Sequence, residues 1–294
     1  MSQVETPPAP PIEQATLEAA LCQVKAHRTR HGTMIAPALD AYVGRSFELY
    51  GEYCPAETNA LIGLLRPGMT VVEVGANLGA HTIPIARKVA PGAVYVFEPQ
   101  QRIFQMLCTN LTLNAVRNVV ALPEAAGAQD GSARLPILDY GARNNFGAVA
   151  VQSAKALDGA HTVQVRAIDS LHLNACHLIK ADAEGWEADV IRGAGETIAK
   201  FRPVLYLDNE KPKHQQALVD LVDGLGYDMW WHAPLLYHPK NFNGRVEDVF
   251  PGVACANMFC TPKEKQVNVQ GLVKIDPKDL HPPLRIPERG KGPV

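Results

Sequence analysis

Residues 70–79 read Thr-Val-Val-Glu-Val-Gly-Ala-Asn-Leu-Gly and run into the helix-patterned segment Ala80–Val89. The first five are a short apolar run, the pattern of a strand buried on both faces rather than one half-exposed at a surface. Gly75 and Gly79 let the following turn bring its backbone close to another group. The helix that starts there offers unpaired N–H groups and a partial positive charge. A strand, a glycine turn and a helix in this order make the segment the first unit of an open α/β sheet.

The same alternation continues downstream. Ala93–Phe97 reads as the second strand, Gln100–Asn114 as a helix and Val119–Ala126 as the third strand. Residues 127–170 break the rhythm with glycine turns and alternating stretches, which predicts an inserted β-hairpin or extended loop. His177–Ala181 and Pro203–Leu207 are further strands, separated by a helix over Trp186–Lys200 and followed by one over Lys213–Leu225. Strands alternating with helices predict a doubly wound, mostly parallel sheet. Tyr227–Trp231 and Val253–Cys260 have no helical pattern between them, so they are expected to pair antiparallel. Upstream, helices are expected over Ile12 to about Arg30 and Ala56–Leu65. Residues 1–11 are Pro-rich and expected to be disordered, 12–66 to form an N-terminal helical lid, 67–262 the main domain, and 263–294 a Pro-rich tail.

Lys plus Arg number 28 and Asp plus Glu 30, a net charge of −2. No basic excess marks a general nucleic-acid binder, and no apolar run is long enough to span a membrane. The N-terminus lacks the basic and apolar regions of a secretory signal. The six cysteines contain no C-x-x-C pair, so reduced core thiols and a cytoplasmic location are expected.

The turn after the first strand is G-x-x-x-G, not the G-x-G-x-x-G of dinucleotide sites. Glu73 precedes it, where a carboxylate would repel a pyrophosphate and welcome an ammonium group. Glu98 closes the second strand 25 residues after Glu73, where an acid can accept hydrogen bonds from both ribose hydroxyls. A ligand with a ribose and an ammonium group but no phosphate fits S-adenosylmethionine better than NAD. NAD binding, or an ordinary strand–turn–helix with incidental acids, stays open on these residues alone.

Glu73-Val74-Gly75-Ala76-Asn77-x-Gly79, Phe97-Glu98-Pro99 and Leu178-Ile179-Lys180-x-Asp182-x-Glu184-Gly185-x-Glu187 together resemble the FkbM family of methyltransferases. Ile191-Arg192-Gly193-Ala194 and Arg202-Pro203 add to the match, which runs from about Tyr50 to Pro262. The resemblance implies a class I methyltransferase (Rossmann-like) fold with a seven-stranded sheet and a reversed last strand. It also implies methyl transfer from S-adenosylmethionine, usually to a hydroxyl of a sugar or natural product. Gly75, Asn77, Gly79 and Glu98 then form the core of the donor site, with Glu73, His81, Thr82, Pro99, Ala126 and Asp182 around it.

Asp182 and Glu184 follow the fourth strand, at the sheet edge where α/β proteins bind ligands. Either is a candidate to take or orient the acceptor proton, and either would equally suit a helix cap. His232 is a secondary base candidate. Asp182, Asp208 and Asn209 are candidate oxygen ligands for Mg²⁺, although metal-independent chemistry is the favoured expectation. Tyr53, Asn145, Phe146, Trp231 and Asn241 offer aromatic faces and amides suited to a small-molecule or glycan acceptor, or to ordinary packing. A homodimer through the 12–60 segment is also open.

Overall fold

The computed structural model describes residues 23–151, 160–267 and 269–280. The disorder expected for 1–11, most of the first expected helix and the end of the tail lie outside them. The central sheet has eight strands. Along it lie β5 (Val119–Leu122), β4 (Val94–Phe97), β3 (Val71–Val74), β9 (Leu178–Ala181), β10 (Val204–Asp208), β12 (Asn257–Pro262), β11 (Tyr227–His232) and β13 (Val273–Lys274). β5 to β10 pair parallel, whereas β12 runs antiparallel to both β10 and β11. The reversed strand therefore sits inside the sheet. The eighth strand, β13, extends it from the segment expected to be tail.

Helices α3 (Thr82–Val89), α4 (Gln101–Leu113), α5 (Glu187–Arg192), α6 (Gly195–Phe201) and α7 (Pro212–Gly224) follow the strands of this sheet. Two apolar clusters fill its faces. One joins Val71, Val94, Ile83, Ile103 and Leu107, and the other joins Val72, Ile179, Leu205, Val190 and Val219. The valines of β3 thus feed both cores, Val71 on one face and Val72 and Val74 on the other.

Several boundaries differ from the sequence reading. The strand expected over 119–126 turns at Pro123, and its end becomes β6 (Ala125–Ala126), which joins β7 (Gly131–Pro136) and β8 (Ala160–Arg166) in a separate three-stranded sheet. That sheet is the inserted hairpin with one strand added. The single helix expected over 186–200 divides at Gly193, which lies so near the chain at Gly127 that a Cβ would stand 1.9 Å from the Gly127 carbonyl oxygen.

The N-terminal segment departs most. Val24–Thr29 is not the end of a helix but strand β1, paired antiparallel with β2 (Gly32–Pro37). Gly32 takes a φ of +124° at the turn, and Thr29 donates its hydroxyl to the Gly32 carbonyl. Asn110 of α4 and Asn114, which caps the end of that helix, hold the hairpin. Asn110 accepts from Ile35 N–H at 2.6 Å and donates to the Ile35 carbonyl at 3.0 Å. Asn114 does the same for Thr33, at 3.1 and 2.7 Å. Spaced four residues apart on one helix face, they act on β2 as a neighbouring strand would. Helices α1 (Val43–Tyr50) and α2 (Pro55–Leu64) complete the segment. Tyr42, Tyr50 and Cys54 pack on Leu236, Phe250 and Cys255 of the loop before β12.

Among the described residues five cysteines are free thiols, and Cys54 and Cys255 face each other with sulfurs 3.6 Å apart. No helix among them is long and apolar enough to cross a membrane.

Asn110 is buried, and its amide also donates to the Leu78 carbonyl. Asn110→Ala would strand the Ile35 backbone groups and should lower unfolding free energy by about 1–3 kcal/mol. A urea melt within experimental error of the wild type would show that the hairpin is held some other way.

Candidate active site

The parallel strands end together, and a cleft opens beyond their carboxyl ends, where open α/β sheets bind ligands. It encloses about 960 Å³ of empty space, partly open to solvent. Its floor is the turn after β3. Gly75 has φ +76° and Gly79 φ +87°, a region that side chains disfavour. At Gly75 the constraint is also spatial, because a Cβ there would stand 1.9 Å from the Asp182 backbone oxygen. The ends of β3 and β9 therefore touch through glycine. Asp182 N–H donates to the Val74 carbonyl at 3.1 Å and locks this contact.

Asn77 is left-handed as well, at φ +50°. Its backbone N–H donates to Glu98 Oε2 at 3.0 Å, while Glu98 Oε1 accepts from Gln100 N–H at 2.9 Å. Glu98 thus ties the end of β4 to the glycine turn. Burial pushes its carboxyl up to about 7, against the pull of those N–H donors. Pro99, Ala125, Ala126 and Trp186 continue the lining at this end. The buried Nε1–H of Trp186 has no hydrogen-bond partner among the described residues, so this end retains a spare donor.

Asp182, Glu184, His81, Tyr53 and Lys180 also line the cleft. Asp182 has a side chain 40% exposed, 4.0 Å from Lys180 Nζ. Glu184 has φ +55° and is held by Lys211 Nζ at 2.8 Å. Glu187 shapes the loop between them, accepting from Ala183 N–H at 2.8 Å and from Gly185 N–H at 3.0 Å. His81 shares a hydrogen bond with Thr58 through Nδ1, at 2.9 Å, and has Nε2 3.5 Å from Glu57. Burial lowers its pKa, so the ring is neutral.

The inserted segment closes one side. Asn145, Gly147, Val149 and Val151 face the cleft, and the backbone at Asn144 is bonded to Leu39 and Ala41.

Some expected site residues lie elsewhere. Glu73 is buried behind the turn, where it accepts from the Thr82 hydroxyl at 2.7 Å; both support the loop from beneath. Gly79 likewise shapes the turn without lining the cleft. The Phe146 ring is stacked on Tyr140 with centroids 4.4 Å apart, and only its carbonyl reaches the cleft residue Gln100. Trp231 is a core residue, because its strand has sheet neighbours on both sides and a helix above it. His232 is bonded through Nδ1 to the Tyr206 hydroxyl at 2.6 Å and is not among the cleft residues. Asn241 spends its amide on its own loop, at His238 and Arg245.

Of the residues expected to hold Mg²⁺, Asp182 and Asp208 come together, with Glu187 as a further carboxylate within 4.8 Å. Asn209 directs its amide nitrogen at the Met258 sulfur. Glu187, with its oxygens committed to the loop, is pushed up to about 7 by burial.

Residues 73–229 match the model of the methyltransferase FkbM domain, more than half of the chain. The chain belongs to the FkbM methyltransferase family. It is 30% identical over 142 residues to methyltransferase 1 of Beauveria bassiana, a match that covers 42% of this chain and 57% of that protein. The chain therefore spans little more than half the length of this curated relative. Among solved structures, an FkbM methyltransferase from Methylobacillus flagellatus is 19% identical over 72% of this chain and 48% of its own, with TM-score 0.45. An O-methyltransferase from Thermotoga maritima is 14% identical over 81% of this chain and 77% of its own, with TM-score 0.44.

Lys180 and Trp186 gain a place in the cleft that their sequence motif did not assign. A lysine in the otherwise apolar strand Leu178–Ala181 is the signal that marks the first.

The two glycines of the turn are predicted to differ. At Gly79 a Cβ would meet only the flexible end of Leu107, at 2.9 Å, whereas at Gly75 it meets backbone. Gly75→Ala should cost more than about 2 kcal/mol of stability, and Gly79→Ala about half that. Equal losses in parallel urea melts would contradict this account of the floor.

Proposed function

We propose that this chain methylates a hydroxyl oxygen on a sugar or natural-product acceptor, using S-adenosylmethionine held between the glycine turn and Glu98. The reading is supported by two carboxylates that line one cleft, Glu98 and Asp182. Glu98 has its backbone partners on one side and faces the cleft, so it can accept from a ribose diol. The left-handed Asn77 and the Gly75–Asp182 contact leave backbone, not side chains, against the ligand. The spare Trp186 donor suits a heteroaromatic base. Bound there, the donor supplies an electrophilic methyl group on a sulfonium.

The protein's task is then to orient the acceptor and remove its proton. Asp182 Oδ2 fits that role best. Glu184 is tied to Lys211, and His232 to Tyr206, so neither carboxylate nor imidazole there is equally free to change partners. In this reading no metal is needed, and the Asp182–Glu187–Asp208 group keeps the loop in shape. The rival reading, of catechol type, uses Asp182 and Asp208 as Mg²⁺ ligands.

Donor consumption against a panel of glycans and polyols, with mass spectrometry of the product, tests the reaction. Turnover should survive EDTA, Asp208→Ala should be mild, and Asp182→Asn should slow the rate by about 10²–10⁴-fold. EDTA-sensitive turnover restored by Mg²⁺ would favour the rival.

Glu98 adds a pH signature. Its carboxyl is raised to about 7 in the folded protein, so it is protonated in the free protein where an unfolded chain has already lost the proton. Ionisation therefore costs stability as pH rises from the unfolded value through about 7. Ribose hydroxyls donating to Glu98 favour the ionised form. Binding of S-adenosylhomocysteine should release a proton and tighten from about pH 6 to about pH 8. Calorimetry in buffers of different ionisation enthalpy measures this, and Glu98→Gln should remove it. Proton uptake on binding would count against Glu98 as the ribose acceptor.

A further inference from the structure

Glu73, Lys180 and Tyr206 are register partners across β3, β9 and β10, so their side chains form one row on one face of the sheet. All three are buried. A charged row at the centre of a sheet is costly unless it is paired. The helices above supply the remaining polar groups. Glu57 of α2 stands 3.9 Å from Lys180 Nζ, and His81 stands beside Glu57.

Lys180 occupies the middle of this row and lines the cleft. Burial works against its charge, but Asp182, Glu57 and Glu73 outweigh it and hold its pKa above the ordinary lysine value. It is therefore a permanent cation. An ammonium group has three donors, yet its two ion-pair contacts, at 3.9 and 4.0 Å, are both too long for hydrogen bonds. Among the described residues none accepts a hydrogen bond from Nζ. A charged donor nine-tenths buried thus faces the end of the cleft where Asp182 stands. The other groups at this end are the neutral His81 ring and Tyr53, whose ring centroids lie 5.8 Å apart. The set suits an oxygen atom and disfavours a second cation.

We propose that Lys180 donates a hydrogen bond to the acceptor oxygen and selects hydroxyl acceptors over protonated amines. The inference rests on the donor reading given above and adds the residue that reads the acceptor atom. In the step it serves, the oxygen gives its proton to Asp182 Oδ2 and gains the methyl carbon as the carbon–sulfur bond breaks, leaving a neutral thioether. The ammonium steadies negative charge on the oxygen and returns to the same three acids afterwards. An ammonium at the same point would meet Lys180 head-on.

The test needs no known acceptor. Sinefungin resembles S-adenosylmethionine but carries an amine where the donor carries its methyl group, whereas S-adenosylhomocysteine carries nothing there. Calorimetry gives the ratio of the two affinities. Lys180→Met should shift that ratio toward sinefungin by about tenfold or more, the scale of one removed like-charge contact. Lys180→Arg, which keeps the charge, should leave the ratio near the wild type. S-adenosylhomocysteine affinity should change far less than that ratio in both, since it carries no group at the methyl position. If Lys180→Met does not fold, Lys180→Met combined with Glu57→Gln removes both members of the pair and is read in the same way. An unmoved ratio in a folded variant overturns the proposal. Failure of the wild type to bind S-adenosylhomocysteine instead overturns the donor reading beneath it.

Discussion

The cleft depends on a contact between two backbones, that of Gly75 and that of Asp182. Because residue 75 has no Cβ, the end of β3 can lie directly against the end of β9. The Asp182 N–H then reaches the Val74 carbonyl, and the acid that follows β9 is delivered to the same opening as the glycine turn. Glu98 fixes the turn from the other side through Asn77. The distance between the two ends of the site is thus set by main-chain geometry, which is stiffer than any arrangement of side chains.

Around that floor the protein concentrates buried titratable groups. Glu73, Glu98 and Glu187 are each pushed up to about 7 by burial, while Lys180 is held charged among acids. Such groups are unfavourable to folding taken one at a time. They are tolerated because each has a nearby counter-charge or hydrogen-bond partner: Thr82 for Glu73, backbone N–H groups for Glu98 and Glu187, and three acids for Lys180. The result is a cleft whose polar groups are already held in place before any ligand arrives.

The parallel core and the Glu98 side of the cleft were legible in the sequence because their signals are local. Val71–Val74 is a fully buried strand, and the glycines after it sit where the turn needs them. The hairpin at 24–37 was not legible, because its second edge is completed by Asn110 and Asn114, 75 to 81 residues away. Trp231 and Asn241 misled for a related reason. Aromatic and amide residues in a late segment suit a glycan surface, but sheet neighbours bury the first and loop carbonyls occupy the second. Lys180 was visible as a charge inside an apolar strand. Its surroundings depend on Glu57, which approaches only once α2 has packed on the sheet.

The wall made by α1 and α2 has a consequence for how the chain assembles. Cys54 meets Cys255, and Glu57 meets Asn257, across separations of about 200 residues, while the floor from β3 to Glu98 closes within a short stretch. Contacts so far apart must await the loss of chain entropy that brings them together. During synthesis the early segment would wait roughly 10–40 s for its partner, at the usual rate of about 5–20 residues per second. The part of the cleft around Glu98 therefore takes shape first, and the part walled by α1 and α2 is completed last, when β12 slots between β10 and β11.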